Sequence, residues 1–152
     1  MTDTFRRVWK EAGGSGDVID RHVSVFGGEG NRVPEERPTV ASVYENRLRI
    51  GMKLDCDPTT IYAAMLQGRY RGTIFRSDLD SLHPYNTYRV AGLPPGAIAN
   101  PGKASLQAAI APAETEYLYF VARPGGLGSH SFSETLGKHN VAVQAYRSGR
   151  TP

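Results

Sequence analysis

Two adjacent prolines lie between glycines in the run Gly92-Leu93-Pro94-Pro95-Gly96, and this run constrains the chain more than any other stretch. Proline has no amide hydrogen to donate and restricts the residue before it, so the run can continue neither a helix nor a central strand. It therefore predicts a loop of defined shape. The 152 residues are enough for one domain with its own core, and this loop divides them into two differently patterned parts.

Before the loop, the spacing of apolar residues is helical. Apolar side chains recur at i, i+3, i+4 and i+8, at Val40, Val43, Tyr44 and Leu48. This spacing predicts an amphipathic helix that ends near Gly51. Asp57 and Pro58 are typical of an N-cap and a first helical position, so we expect a second helix from Asp57 to about Leu66.

After the loop, a helical pattern is followed by strand patterns. The alanine-rich stretch 103–111 predicts a helix stopped by Pro112. Residues 117–121 form a dense β-forming run, which we expect to pair with residues 130–133 across a glycine-rich turn. Ser133 is then expected to cap a last helix that reaches about Tyr146.

These elements predict an α+β fold: a single compact domain with several helices and a small antiparallel sheet that includes a C-terminal hairpin. We expect an irregular N-terminal segment at 1–31, the folded domain at 32–147 and a short tail at 148–152. No apolar run approaches the roughly 18 to 20 residues of a membrane helix. We therefore expect no membrane-spanning segment in this chain.

Composition excludes several classes of protein. The single cysteine, Cys56, cannot close a disulfide within the chain and has no cysteine partner for a zinc site, so neither a disulfide scaffold nor a zinc ribbon is available. We expect no metal and no cofactor. The formal net charge is +3 and is spread along the chain, so nucleic acid is not implied as a partner. Three arginines around two aromatic residues superficially resemble a nucleic-acid surface: Arg69, Arg71 and Arg76, with Tyr70 and Phe75. A solvated helix end is the preferred interpretation.

Polar residues of catalytic type are concentrated at 46–47, 55–60 and 85–88. Loops rich in Asn, Tyr, Thr and Asp suit sugars, which offer hydroxyl groups for hydrogen bonds and C–H faces for aromatic stacking. Considered alone, Asp57 is explained as a helix cap and Asn86 as a turn residue.

Several longer motifs occur in one order between about Val33 and Tyr146. They are residues 46–54 (NRLRIGMKL), 57–62 (DPTTIY), 85–88 (YNTY), 92–102 (GLPPGAIANPG), 105–106 (SL) and 117–121 (YLYFV), with His130 and Phe132. In these motifs the chain closely resembles the YceG-like family of endolytic murein transglycosylases.

The resemblance implies an enzyme that cleaves nascent peptidoglycan strands between MurNAc and GlcNAc and leaves a 1,6-anhydro-MurNAc end without water or metal. It also implies a place in the cell envelope, on the outer side of the cytoplasmic membrane, with glycan strands and peptidoglycan synthases as partners. Contact with the membrane is expected only through an anchor absent from this chain. The substrate-binding residues it suggests are Asn46, Asp57, Tyr85, Asn86, Tyr88 and Asn100. From the chemistry of turns and helix ends, we expect them to converge in one polar cleft.

This chemistry needs one carboxyl group that serves as acid and then as base, and the family supplies it from a Glu-x-Glu segment before the region matching Val33. Counting back from Val33 without gaps places Gly28 and Gly30 at the two glutamate positions, with Glu29 between them. A shift of one residue would bring Glu29 to the catalytic position. Glu29 is therefore the candidate acid, and the activity of a chain altered at this motif is in question.

Other titratable groups are weaker candidates. Glu35 and Glu36 are expected on the solvated first turn of their helix, and Glu45 is expected to be exposed. Two histidines, His130 and His139, are of a residue type that serves as acid or base, but no serine or cysteine nucleophile elbow lies near them in the sequence. Two alternatives stay open: a glycan-binding domain of the same fold that lacks the acid, and an intracellular nucleic-acid-binding module.

Overall fold

The structure is a computed structural model that describes residues 33–99, 103–125 and 127–149. A 3-10 turn at Pro34–Glu36 leads into helix α1 (Arg37–Arg49), followed by α2 (Asp57–Leu66) and the short α3 (Arg76–Leu79). After the loop that contains the two prolines come α4 (Lys103–Ile110), the strands β1 (Tyr119–Ala122) and β2 (His130–Ser133), and α5 (Leu136–Ser148). This arrangement confirms the predicted α+β fold.

Helix α1 is the central element. Every residue from Val40 to Arg47 is buried, so the helix is surrounded and has no solvated face over these two turns. The amphipathic pattern therefore predicted the helix correctly, but the expectation that Glu45 is exposed was wrong. Glu45 is only 7% exposed. Neighbouring elements cover the side of α1 that does not carry the apolar residues.

The core forms where α1 meets α4 and the loop before α2. Its buried apolar members are Val40, Ala41, Tyr44, Leu54, Cys56, Ala108 and Ala109. Small alanines on α4 allow it to pack closely on α1, and Cys56 serves here as a buried apolar side chain. Leu93 of the proline loop packs against the same cluster, which ties that loop to the core.

The proline loop also depends on two of its glycines. Gly92 has a φ of +83°, a conformation that L residues rarely adopt. A Cβ atom at Gly96 would lie 2.7 Å from the hydroxyl oxygen of Tyr85. Glycine at 96 therefore lets the tyrosine hydroxyl approach the backbone, and the loop has the defined shape that its sequence predicted.

The two strands form the predicted antiparallel hairpin, with Tyr119 opposite Ser133 and Ala122 opposite His130. The expectation that Ser133 caps the last helix was wrong, since Ser133 is still part of β2. Thr135 is the N-cap, and its hydroxyl accepts a hydrogen bond from the amide of Lys138. Two residues, Glu134 and Thr135, separate the end of β2 from the first residue of α5.

Three sequence expectations lie wholly or partly outside the described residues: the irregular segment 1–31, most of the tail 148–152, and Asn100. Of the tail, Ser148 completes α5 and Gly149 ends it in the left-handed conformation. Among the helices that the structure describes, none combines the length and apolar character needed to span a bilayer.

Candidate functional site

A polar cleft of about 530 Å³ lies between α1, the loop before α2 and the hairpin. Carboxylate, imidazole, guanidinium and phenol groups face it, beside apolar atoms of the hairpin. Its wall contains Tyr44, Arg47, Leu54, Asp55, Asp57, Tyr88, Tyr119–Ala122, His130, Leu136, His139 and Asn140. A surface of this composition offers hydrogen bonds and aromatic faces together, which is what a sugar chain requires.

Asp57 and Tyr88 form the closest polar pair of this wall. The Tyr88 hydroxyl donates to Asp57 Oδ1 at 2.6 Å. Burial, reinforced by the hydrogen bond to Asp57 and by its charge, raises the pKa of Tyr88 far above its usual value, so the phenol keeps its proton. The carboxylate is thereby held at the start of α2, facing the cleft.

The expectation that Asp57 caps α2 was wrong. Asp57 is the first residue of the helix, Cys56 is the N-cap, and no side chain makes a cap hydrogen bond there. Instead, the amide and hydroxyl of Thr59 both donate to the carbonyl of Cys56. The Asp57 carboxylate is thus released from local backbone bonding and can serve the cleft.

Arg47 is a central residue of the site that sequence analysis placed in the polar cluster at 46–47 but did not name as a binding or catalytic residue. It is 7% exposed, and its guanidinium donates to the carbonyls of Leu118, Lys53 and Leu54. It also lies 5.2 Å from the centre of the Tyr119 ring, within the range of a cation–π contact. One buried side chain therefore joins α1, the loop before α2 and the hairpin. The signal in the sequence was its position beside Asn46 in the polar cluster at 46–47.

Asp55 is a second carboxyl group in the cleft wall. Its Oδ2 lies 3.5 Å from Arg47 Nη1, and its side chain is 40% exposed. Burial raises the pKa of this carboxyl, although the positive charges of Arg47 and Lys53 act in the opposite direction. Asp55 also has a φ of +47°, the only non-glycine residue of the described part with a positive φ. Such strain persists where the surroundings enforce it, and it frequently marks functional sites.

The opposite wall carries both histidines. His130 Nδ1 lies 2.8 Å from Glu36 Oε2, and the His130 amide donates to both oxygens of the same carboxylate. The expectation that Glu36 is solvated was therefore wrong, because the hairpin covers the first turn before α1. His139 stacks on Tyr119 with ring centres 5.1 Å apart. Burial and the positive charge of Arg47 lower the pKa of His139, so its imidazole is neutral at pH 7.

A family model matches residues 24–145 of this chain, and it describes the YceG-like family. The chain belongs to the YceG-like family. Its resemblance to this family over about Val33 to Tyr146 is thereby confirmed.

Comparison with individual proteins supports the same family. The endolytic murein transglycosylase of Bacillus subtilis strain 168 is 44% identical over 115 residues, which are 76% of this chain and 31% of that protein. The endolytic murein transglycosylase of Streptococcus pneumoniae serotype 2 is 33% identical over 95 residues, 58% of this chain and 16% of that protein. A crystal structure of a YceG-like protein from Listeria monocytogenes superposes with a TM-score of 0.75 at 36% identity, covering 90% of this chain and 43% of that one. The chain thus spans less than half the length of these relatives.

Of the binding residues that the family resemblance suggests, the structure brings Asp57 and Tyr88 together in the cleft. Asn86 lies two residues from Tyr88 and is fully buried, with its side-chain oxygen accepting from the Tyr88 amide at 3.2 Å. Asn46 is 7% exposed, and its amide nitrogen donates to the carbonyls of Thr115 and Tyr117. The side chains of both asparagines form hydrogen bonds to backbone groups in this structure. Their contact with a substrate stays a prediction.

Tyr85 does not line the cleft. Its ring packs on Tyr62 with centres 4.9 Å apart, and its hydroxyl approaches Gly96. The candidate acid Glu29 and the candidate binding residue Asn100 lie outside the described residues, so their roles also stay predictions. Within the described ranges, no group of three or more His, Cys, Asp or Glu residues is arranged to hold a metal ion.

Asp55→Asn is expected to increase stability at pH 7 by less than about 1 kcal/mol, because the side chain is 40% exposed and solvent screens its charge. The folded protein binds the Asp55 proton more tightly than the unfolded chain, since burial raises the pKa. Stability from this group is therefore present at low pH and is lost as pH rises from the ordinary aspartate value through the raised one. Asparagine stays neutral and tolerates a positive φ.

Urea unfolding of both proteins between pH 3 and pH 7 checks this. The advantage of the variant should grow with pH, and an advantage that is constant or falls with pH would contradict it. Asp80→Asn is the control, since its carboxylate lies in an exposed surface ion pair with Arg76.

Proposed function

We propose that this domain is an endolytic lytic transglycosylase that cuts peptidoglycan glycan strands between MurNAc and GlcNAc. Membership of the YceG-like family and the names of its relatives support the class of reaction. The observation that carries the proposal for this chain is the Asp57–Tyr88 pair in a cleft that also presents aromatic and imidazole groups. The cleft combines oriented polar groups with ring faces, as recognition of a saccharide requires.

In the proposed reaction, a carboxylic acid protonates the glycosidic oxygen as the bond from C1 of MurNAc breaks. The C6 hydroxyl of the same sugar then bonds to C1, and the resulting carboxylate takes the proton from that hydroxyl. The products are a 1,6-anhydro-MurNAc end and a free GlcNAc hydroxyl, and the acid is restored. No water is consumed, and one carboxyl group serves both steps, unlike the carboxylate pair of ordinary glycosidases.

Glu29 is the proposed acid. It lies seven residues before Glu36 in the sequence, and Glu36 is bonded to the cleft residue His130. Glu36, a described residue that follows Glu29 closely in the sequence, therefore lies beside the cleft, which supports the proposal. Across the cleft, Asp57 and Tyr88 are proposed to bind sugar hydroxyl groups, assisted by Asn100, while Tyr85, Asn86 and Asn46 maintain the loops on which the binding residues are placed.

The same proposal places the domain in the cell envelope, on the outer side of the cytoplasmic membrane, where its substrate is assembled. Glycan strands are the proposed substrate and peptidoglycan synthases the proposed protein partners. Incubation with purified, uncrosslinked strands tests the activity, with release of 1,6-anhydro-ended fragments followed by chromatography and mass spectrometry. Strands that are neither bound nor cut would contradict the proposal.

A second candidate is a glycan-binding domain of this fold without catalysis. The glycines at 28 and 30, where the family has glutamates in the ungapped alignment, favour it. Binding of strands without any anhydro-ended product would identify this case. The third interpretation, a nucleic-acid-binding module, has only the net charge of +3 in its favour.

Tyr88→Phe is expected to weaken binding of uncrosslinked strands by roughly 2- to 10-fold, the effect of one lost hydrogen bond. Phenylalanine keeps the ring but no longer donates to Asp57, so the carboxylate loses its fixed orientation. Titration monitored by calorimetry measures the change. Tyr146→Phe on the exposed surface of α5 is the matched control and should bind as the parent does. Equal affinity of the parent and Tyr88→Phe would remove the pair from the binding site.

A further inference from the structure

A second surface, outside the cleft, combines exposed apolar side chains with arginines. We call it the arginine face, and it consists of Leu66, Arg69, Tyr70, Arg71, Phe75 and Arg76. It lies where α2 ends and α3 begins. In the sequence analysis, these arginines were interpreted as a solvated helix end. The proposed glycan reaction does not use them.

The backbone brings this surface together. Gly68 ends α2 with a φ of +66°, and the Arg69 amide donates to the carbonyl of Ala64, so the chain folds back over the helix end. Asp78 then fixes the return, since Oδ2 accepts from the Phe75 amide and Oδ1 lies 3.3 Å from Arg69 Nη2. As a result, a depression of about 260 Å³ is lined by Arg69, Arg71, Phe75, Ser77 and Asp78.

The apolar side chains here are unusually exposed for a folded domain. Leu66 is 55% exposed and Phe75 47%, and the neighbouring Met65 is 59% exposed. Aliphatic and aromatic groups next to arginines form the pattern of a surface that lies at a membrane interface, with the rings and aliphatic chains in the lipid and the guanidinium groups at the phosphates.

The charges complement an anionic partner. From residue 65 to residue 77 the chain has three arginines and no acidic residue. Arg69 is paired with Asp78, and Arg76 with Asp80. Within the described ranges Arg71 has no carboxylate partner and its side chain is exposed, so its charge is available to a ligand.

We propose that the arginine face docks this domain on an anionic phospholipid surface. Nucleic acid fits it less well. Tyr70 and Phe75 offer rings for base stacking, but Leu66 and the neighbouring Met65 add exposed aliphatic surface that bases do not use, and two of the three arginines are already paired with carboxylates. This contact is made by the domain itself and is separate from any anchor elsewhere in a longer chain. It orients the domain relative to the bilayer while the cleft acts on its substrate.

Co-sedimentation of the 152-residue chain with vesicles tests the proposal. Binding is expected to vesicles of phosphatidylglycerol mixed with phosphatidylcholine, to weaken with added salt, and to be lost with phosphatidylcholine alone. Arg71→Gln should lower the affinity about fivefold, the effect of one arginine near an anionic surface. Phe75→Ser should lower it at least about threefold, since about half of the ring surface could enter the lipid.

Matched controls lie on α5, which belongs to a different part of the fold. Arg147→Gln removes an exposed arginine and Val141→Ser an exposed apolar side chain, and both variants should bind vesicles as the parent does. The urea unfolding midpoint of each variant separates loss of docking from loss of folding.

Three results would each overturn the proposal: equal binding to anionic and neutral vesicles, an Arg71→Gln variant that binds as the parent does, or controls that weaken binding equally. Binding to a single-stranded oligonucleotide with none to anionic vesicles would assign the face to nucleic acid instead. None of these outcomes depends on cleavage of glycan, so the docking surface and the proposed enzyme activity are tested separately.

Discussion

Gly28→Glu is expected to raise the release of 1,6-anhydro-ended fragments from uncrosslinked strands by about 10²- to 10⁴-fold over the parent chain, the usual contribution of a general acid. The prediction rests on the ungapped count back from Val33, which assigns Gly28 to the position of the glutamate that the family resemblance implies and leaves Glu29 one residue away from it. Adjacent side chains point in different directions, and a misplacement of about 1 Å can cost on the order of 10²-fold. The parent should therefore have low activity or none.

The assay compares the parent, Gly28→Glu and Glu29→Gln by chromatography and mass spectrometry of the fragments. A fully active parent that Glu29→Gln inactivates would identify Glu29 as the acid and show that the ungapped alignment is wrong. If neither substitution changes the yield, the acid lies elsewhere, and Asp57 is the next residue to replace, followed by Asp55. Gly137→Glu, in the first turn of α5 where a Cβ meets no atom within 4 Å, controls for an added carboxylate.

Asn86→Ala is expected to destabilise the protein by about 3 to 5 kcal/mol, the range of a broken buried hydrogen-bond network. The amide nitrogen of Asn86 lies 2.7 to 3.2 Å from the carbonyl oxygens of Asp78, Leu79 and Ser81. Its oxygen accepts from the Thr60 hydroxyl at 3.0 Å and from the Tyr88 amide. Alanine would leave these buried groups without partners.

Urea denaturation measures this loss as a lower unfolding midpoint. Because a whole domain is stable by only about 5 to 15 kcal/mol, the variant should be partly unfolded at modest denaturant concentrations. Asn140→Ala, in an exposed position of α5, is the matched control and should change stability by no more than about 0.5 kcal/mol. A loss below about 1 kcal/mol for Asn86→Ala would contradict a central role for this side chain.

Much of the secondary structure could be predicted from the sequence, because the signals are local. The helix at 103–111 and the strand His130–Ser133 were located to within a residue, from an alanine-rich run and a β-forming run. The loop around Pro94 and Pro95 followed from missing amide donors. Each of these signals acts within about four residues of chain, which is the range over which helical hydrogen bonds and turns form.

The wall of the cleft was decided by tertiary contacts. Tyr88 and Asp57 are 31 residues apart in sequence, Arg47 and Leu118 are 71 apart, and His130 and Glu36 are 94 apart. No periodicity or capping rule reaches such separations. For this reason Asp57 was mistaken for a cap and Glu36 for a solvated residue. Arg47 was placed in a polar cluster but was not named as a binding or catalytic residue.

The sequence by itself determined the elements, their order and, through motifs between about Val33 and Tyr146, the family. Which charged groups are buried depended on what packs against α1, as the exposure of only 7% at both Glu45 and Arg47 shows. Burial is a property of the assembled neighbours, and it shifts the pKa of Asp55 and His139. The orientation of Asp57 depends on the hydrogen bond from Tyr88, which is 31 residues away in the sequence. The chemistry of the cleft was therefore decided by the tertiary structure, because desolvation and long-range hydrogen bonds exist only once the elements have packed.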